Sequence, residues 1–496
     1  MTLQPLHPVA PALPSSDEVA HSHVPARWLR HLGLLNDYVR IPYANGSSFA
    51  SQFLYREFRA RGHRVTVVGP TDPDARPDEM PERYLTLRSL PLRNHPGVRL
   101  PLPSRSALAR IAEANFDLVL GQTSSEFTDL GVWLRATRGV PFVSVNTLHL
   151  ASAYNAVLPD VLAGSRLVRG VFDHGVVPAV ERHAAGVYNH TDGLIVLSRG
   201  LADFWSERGV EAPIHVIPRA VDPKVFEAPA SDDPFSPRAV RGQRLLVVCR
   251  HAREKEVDRI LRIFARHVVP CAPEASLTLV GDGPEHDTLR ALARKLGIAE
   301  RTHFVGEFPL TDIARFYRHA DLFVYASRSE TYGQVVSEAL WCGLPVIAFA
   351  DGMGVSDQVE HDLTGMLVDV QNARIGDEVF GAAVLRLLRD PSARRVMGET
   401  ARVRTRARVH PSVVMRRYYE VFESARAHCE RTRPVRGAAQ IAAASALARW
   451  ASVQSMAIAL GLLRRPANLN RHGRRQPGWS ALEPGLPAND APAAAE

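Results

Sequence analysis

The sequence predicts an α/β protein built as two doubly wound, Rossmann-like domains facing a cleft, and three observations carry that prediction. With 496 residues, the chain is too long for one ordinary core. Short apolar runs of strand length alternate with helical patterns, which is how parallel sheets covered on both faces read in sequence. A Pro-, Ser- and Asp-rich interruption then divides the alternation into two series.

Residues 1–30, rich in Pro, Ala and His without periodicity, read as a disordered leader. A first Rossmann-like domain is expected over 31–228. In it "FASQFLYREFRARG" has apolar residues near helical spacing and stops at Gly62, and "RVTVVGP" follows as a buried strand. "FDLVLGQ", "PFVSVN" and "GLIVLS" are further strands. Residues 229–243 read as an interdomain linker. The second domain is expected over 244–410, with strands in "RLLVVCR", "ASLTLVGDGP", "THFVGE", "DLFVYAS", "PVIAFA" and "GMLVD". A helix over 411–432 is expected to pack back on the first domain, and residues 433–496 to form an apolar helix and a disordered tail. Two such domains in tandem leave a cleft at the carboxyl ends of their strands, where ligands bind.

Composition narrows the class. Hydrophobic residues make up 46% and charged residues 23%, the proportions of a globular protein. Cys249, Cys271, Cys342 and Cys429 form no CxxC pair, which argues for a reducing compartment and against a disulfide framework or a zinc site. "MTLQPLHPVAPALPSSDE" lacks a basic start and an apolar run, so it is no signal peptide, and a cytoplasmic location is expected. The formal charge of +8 suits anionic partners. Nucleic acid is not expected among them, because interleaved aromatics and a helix-turn-helix pattern are missing. The basic residues number 60, yet Lys224, Lys255 and Lys295 are the only lysines, so each invites a question about its role.

The chemistry concentrates in "SRSETYGQVVSEALWCGLPVIAF", Ser327 to Phe349. It reads as a loop after the strand "DLFVYAS", a helix "QVVSEALWC" stopped by Gly343, and a strand "PVIAF". The loop delivers Tyr332, Gly333 and Gln334 to a helix start whose unpaired N–H groups suit phosphate or sugar oxygens. Glu330 lies just before that start and Glu338 about one turn inside. Two carboxylates at different depths can hold two hydroxyl-bearing parts of one ligand; a solvated loop residue and a surface helix residue are the plain alternative.

"ETYGQVVSEALWCGLPVIAF" resembles the signature of the family-4 retaining glycosyltransferases, whose two glutamates are spaced as Glu330 and Glu338 are. "VVCRHAREKEVDRIL", "LVGDGPEHDTLRALARKLGIAERTHFVGEF" and "ANGSSFASQFLYREFRARGHRVTVV" resemble further segments of that family, so the likeness spans about residues 35 to 425. It implies the GT-B fold, with a nucleotide-sugar donor on the second domain and a glycan or lipid acceptor on the first. It implies a metal-independent transfer with no cofactor. Glu330 would engage the donor sugar and Glu338 the ribose, whose diol offers two donors to a carboxylate. Arg250 and Lys255 would meet the diphosphate, Gly333 would let backbone approach the ligand, and Asn45 and Gly46 would form the glycine loop of the first domain. His149 in "VPFVSVNTLHLASAY" stands near the family's histidine beside the donor sugar, about two residues late; a turn or core histidine is the alternative. Cys249 replaces the glycine usual before that arginine, a change of packing.

Cationic side chains aimed at the leaving phosphate can stabilise the charge that develops as the sugar–phosphate bond breaks. "DPD", Asp72 to Asp74, has the Asp-x-Asp form of a metal ligand pair but stands in a Pro-rich loop away from other acids. His63 reads as structural. Two other classes compete: a sugar-nucleotide epimerase of similar build, and a non-catalytic lipid- or nucleic-acid-binding protein. Finally, "AAQIAAASALARWASVQSMAIALGLLRR" is apolar and ends in two arginines, with Arg449 its one internal charge. It suits a helix lying on an anionic membrane surface, Trp450 anchoring at the headgroups and a peripheral location following. A helix packed on the protein's own body is the alternative.

Overall fold

The computed structural model describes residues 27–40, 46–91, 99–122, 126–147, 170–227, 232–235, 242–327, 330–369, 373–433, 436–462 and 479. In chain order the strands of the first half are β1 (His31–Leu35), β2 (Arg64–Pro70), β3 (Tyr84–Leu87), β4 (Ser89–Pro91), β5 (Arg99–Pro101), β6 (Leu118–Gly121), β7 (Phe142–Val145), β8 (Gly193–Val196) and β9 (Ile214–Val216). Seven of them form a parallel sheet in the order β3-β2-β1-β6-β7-β8-β9, while β4 and β5 pair antiparallel beside it. The second half adds β10 (Arg244–Val248), β11 (Ser276–Val280), β12 (Thr302–Gly306), β13 (Leu322–Tyr325), β14 (Val346–Phe349) and β15 (Gly365–Val368), ordered β12-β11-β10-β13-β14-β15. The protein is thus two Rossmann-like α/β domains.

The runs are apolar on both sides because parallel strands bury both faces. In the first sheet Leu118, Leu120, Val143 and Val145 face one core, while Val119 and Phe142 face the opposite one. Strand β1, like β3 and β9, has no place among the apolar runs: "HLGLL" is short, starts with a histidine, and is nonetheless fully buried. His31 is accommodated there by Thr66 Oγ1 at 2.8 Å.

Helix α1 (Gly46–Ala60) covers one face of the first sheet, and helix α2 (Glu126–Arg138) the other. The chain returns to this domain after the second. Helix α6 (Pro411–Arg431) buries Tyr418, Tyr419 and Phe422 against Phe58, with the Phe58 and Phe422 rings stacked at 5.6 Å. His63 bridges Leu29 O at 2.7 Å and the Tyr419 hydroxyl at 2.7 Å, a structural role.

Three boundaries differ from the sequence reading. The leader does not run to residue 30: Leu29 is buried, and Trp28 Nε1 donates to Glu423 Oε1 at 2.6 Å. The first domain gives way to the second near residue 221 rather than 228, because Val221, Val225, Phe226 and Phe235 belong to the second domain's core. Phe235, within the expected linker, carries the Arg244 guanidinium over its ring at 4.8 Å. In the expected disordered tail, Trp479 is fully buried beside Tyr55 and donates to Val39 O at 2.8 Å.

The membrane-anchor reading of Trp450 is overturned as well. Helix α7 (Arg436–Leu462) lies along α2, with Ala443, Ala446 and Trp450 buried. Trp450 Nε1 donates to Pro101 O at 3.1 Å, and Arg449 pairs with Asp129 at 2.9 Å. The small alanines let the two helices approach, and the single charge is neutralised by the neighbour instead of facing a headgroup. No helix among the described residues is long and apolar enough to cross a membrane.

Candidate functional site

In the second sheet the chain winds outward from β10 through β11 to β12, then restarts on β10's other side with β13. The loops after β10 and β13 therefore separate at the carboxyl edge, the switch point where such sheets bind ligands. Lys255 comes from the first loop and Glu330 from the second. They meet: Lys255 Nζ donates to Glu330 Oε1. The same oxygen accepts from Tyr325 and Ser327 hydroxyls, each at 2.7 Å.

This site is drier than a loop carboxylate suggests, with the Glu330 side chain 13% exposed. Burial alone pushes its carboxyl up, but the Lys255 ammonium and the three donated bonds outweigh it and hold the group at about 2. Burial likewise pushes Lys255 down, and Glu330 outweighs it, so the ammonium stays above its usual value. Both groups are charged at neutral pH. Glu330 is thus the hub of a buried network, not the solvated loop residue of the plain alternative. Arg250 lies at the start of the same loop, more open, with its guanidinium on Glu254 at 2.7 Å.

Helix α5 (Gln334–Trp341) starts immediately after, and its N-cap Gly333 has φ of 79°, where a side chain would be strained. Gln358 Nε2 fixes the entry, donating to the carbonyls of Tyr332 and Gly354. Tyr332, expected among the donor-binding residues, is turned into the core. The whole residue is 1% exposed, its hydroxyl shares a 2.6 Å bond with Ser337, and its carbonyl is taken by Gln358. Gln334 reaches across to Ala220 O at 3.3 Å, next to the passage between domains.

Glu338 is not a surface residue. It is 5% exposed, accepts from Tyr317 OH at 2.9 Å, and forms part of the wall of a cavity between the domains. Burial pushes its carboxyl up to about 8, the Tyr317 and Gln334 bonds offsetting only part of that. Across the cavity stand Phe49, Gln52 and Phe53 of α1, and Gln122 at the end of β6. Gly46 starts α1 just after β1, at the first sheet's own switch point between β1 and β6. Asn45 and His149 lie outside the described residues. Asp72 is occupied by Arg40 at 2.8 Å, which removes it from metal candidacy.

Arg219 is the residue sequence reasoning missed. It lines the same cavity from the crossing segment, with its Nε buried and without a hydrogen-bond partner among the described residues, and burial pushes its guanidinium down. In "VIPRAVD" nothing distinguishes it from the other arginines of the chain. Tyr325 and Ser327 also escaped notice, since the end of an apolar strand gives no sign of a hydroxyl turned toward a carboxylate.

Comparison with known proteins agrees with this geometry. The family described as "Glycosyltransferase Family 4" matches residues 45–225, and "Glycosyl transferases group 1" matches 232–404. Alpha-monoglucosyldiacylglycerol synthase of Streptococcus pneumoniae is 27% identical over 357 residues, covering 68% of this chain and 77% of the relative. A GDP-mannose-dependent alpha-(1-6)-phosphatidylinositol monomannoside mannosyltransferase of Mycolicibacterium smegmatis is 30% identical over 316 residues, covering 59% and 80%. Among solved structures, sucrose-phosphate synthase from Thermosynechococcus elongatus superposes with a TM-score of 0.63 at 21% identity, over 80% of this chain and 99% of that one. HepE of Anabaena in complex with UDP superposes at 0.61 and 17% identity, over 80% and 100%. None of these matches favours an epimerase or a non-catalytic binding protein.

Proposed function

This chain belongs to the family-4 glycosyltransferases of the GT-B fold, and on that premise we propose that it transfers a sugar, with retention, from a nucleotide-diphosphate donor to a lipid acceptor hydroxyl. The observation that carries the reading is the ionised Glu330 held by Lys255, Tyr325 and Ser327 at the switch point, beside the start of α5. A donor sugar there would meet a carboxylate whose partners are already in place. As a diphosphate enters, Lys255 can turn from Glu330 to the phosphate, freeing an acceptor for sugar hydroxyls. Arg250 supplies a second cation and Arg219 a third from the facing side. Such preorganised charge is worth about 10²–10³ in rate per donor, which supports transfer without metal. Glu338 and Gln334 on the cavity wall suit the ribose.

The lipid part rests on the relatives' acceptors, diacylglycerol and a phosphatidylinositol mannoside, and on Val171 and Val176, which are 62% and 41% exposed on the first domain. An anionic membrane surface would bring that acceptor to the domain. The test is a screen of nucleotide sugars scored by nucleotide release, with vesicles containing diacylglycerol or phosphatidylinositol beside soluble sugars, and the product's anomeric configuration read by NMR. A donor sugar passed to lipid with its configuration kept is the expected result. An inverted product, isomerisation of the donor alone, or transfer to soluble sugars only would overturn the corresponding part.

A further inference from the structure

Beside the donor loops lies a cluster that the proposed transfer does not use. His251 follows Arg250 after β10, Asp282 follows β11, and His286 opens helix α4 (His286–Lys295), where α3 is Val257–Ile263. His251 Nδ1 and His286 Nδ1 are 2.9 Å apart, His286 Nδ1 and Asp282 Oδ1 3.3 Å, and one ligand atom of each lies within 4.8 Å of the others. His251 is fully buried, while the other two side chains are 13% and 8% exposed.

The backbone holds the three in place. His251 N donates to Asp282 O at 2.8 Å, and Glu285 N donates to His251 O at 2.9 Å. Gly283 has φ of 156°, and a Cβ there would come within 2.6 Å of His251 O, so the two loops approach as closely as backbones can. Ligand atoms about 2.0–2.2 Å from a tetrahedral metal are separated by about 3.3–3.5 Å. The observed contacts of 2.9 and 3.3 Å are near that separation, and the third pair lies within 4.8 Å.

The electron pairs tell the same story. Two imidazole nitrogens and a carboxylate oxygen, the latter also accepting from Gly283 N at 2.7 Å, lie close enough for one divalent cation to take a lone pair from each. His251 Nε2, on the ring's other side, is buried without a hydrogen-bond partner among the described residues, so its proton or lone pair gains nothing from the present arrangement. We propose that His251, Asp282 and His286 form a binding site for a borderline divalent cation of the zinc class, which clips the loop carrying Arg250 and Lys255 to the loop after β11. Two imidazoles and one carboxylate are a ligand set that zinc accepts, a fourth position being left to water. The ion stands apart from the chemistry of transfer and fixes the geometry of the donor loop.

The experiment uses the full chain stripped by chelator and titrated with Co²⁺, whose visible bands report tetrahedral coordination, followed by displacement with Zn²⁺. One Co²⁺ per chain is expected. His286→Ala should weaken it at least about tenfold, as loss even of a supporting partner does at such sites, and Asp282→Asn should do the same. Zn²⁺ should raise the melting temperature of the parent chain and not of His286→Ala. Absent bands, or bands and affinity unchanged in a folded His286→Ala or Asp282→Asn chain, would overturn the site, since binding would then belong to other histidines.

Discussion

At the scale of single residues, the Lys255–Glu330 pair joins stability to chemistry. Replacing Glu330 with Gln should lower turnover by about 10²-fold or more, measured by nucleotide release. It should also destabilise, because Lys255 is left as a buried, unpaired cation, a loss that runs to about 3–5 kcal/mol in buried pairs. Adding Lys255→Met should restore much of the melting temperature while activity stays lost; a double variant as unstable as Glu330→Gln would show the pair is not the cause. Glu338 gives the opposite pH behaviour. Its folded value of about 8 stands above the ordinary 4.5, so the folded state holds a proton that the unfolded chain releases. Its contribution therefore falls as pH rises from about 4.5 to about 8. Glu330, at about 2, contributes stability above the ordinary range that is lost as pH falls toward 2. Glu338→Gln, which mimics the protonated form, should gain melting temperature relative to the parent between pH 5.5 and pH 8; parallel curves would refute the assignment. If a ribose diol donates to the carboxylate, nucleotide affinity of the parent should rise over the same window and that of Glu338→Gln should not.

At the scale of elements, the sequence made most of the parallel strands legible, because doubly covered strands are apolar throughout and glycines mark their ends. It was silent on β1, whose burial depends on His31 finding Thr66. It located Glu330 in the loop after β13, Glu338 in the helix that follows and Lys255 in the loop after β10, since motif and spacing are local. What it could not reach was contact across distance: Arg219 entering the cavity from the crossing segment, Tyr332 turning into the core, and His251 meeting His286 from 35 residues away. Helix α7 was ambiguous for a physical reason, because small apolar residues suit a lipid face and a tight helix pair equally. Its packing makes a prediction. Ending the chain after Arg433 removes Trp450 and Trp479, both fully buried, and uncovers Phe127 and Tyr55. Burial of a tryptophan is worth about 4 kcal/mol by area, so the shortened chain should melt lower and bind hydrophobic dye. Equal melting would mean the helix is held loosely. Membrane attachment is better tested by Val171→Asp with Val176→Asp, which should reduce flotation with anionic vesicles without a change in melting.

At the scale of the molecule, the two domains are joined twice. The chain leaves the first near Val221 and comes back at Val409, where α6 begins two residues later. The two passages lie side by side, since Val221 N donates to Val409 O at 3.2 Å. Arg56 of α1 reaches Asp222 at 2.8 Å right beside them. Two bodies tethered at a single point can twist and slide; two bodies tethered at adjacent, mutually bonded points pivot about one axis. Opening of the cavity is then a swing with a single angular coordinate, and the facing walls separate in proportion to their distance from that axis. Gln334, bonded to Ala220, sits almost on the pivot and hardly moves, whereas walls farther from it separate more. A nucleotide gripped near the axis could stay in place while the far end of the cleft opens to admit an acceptor.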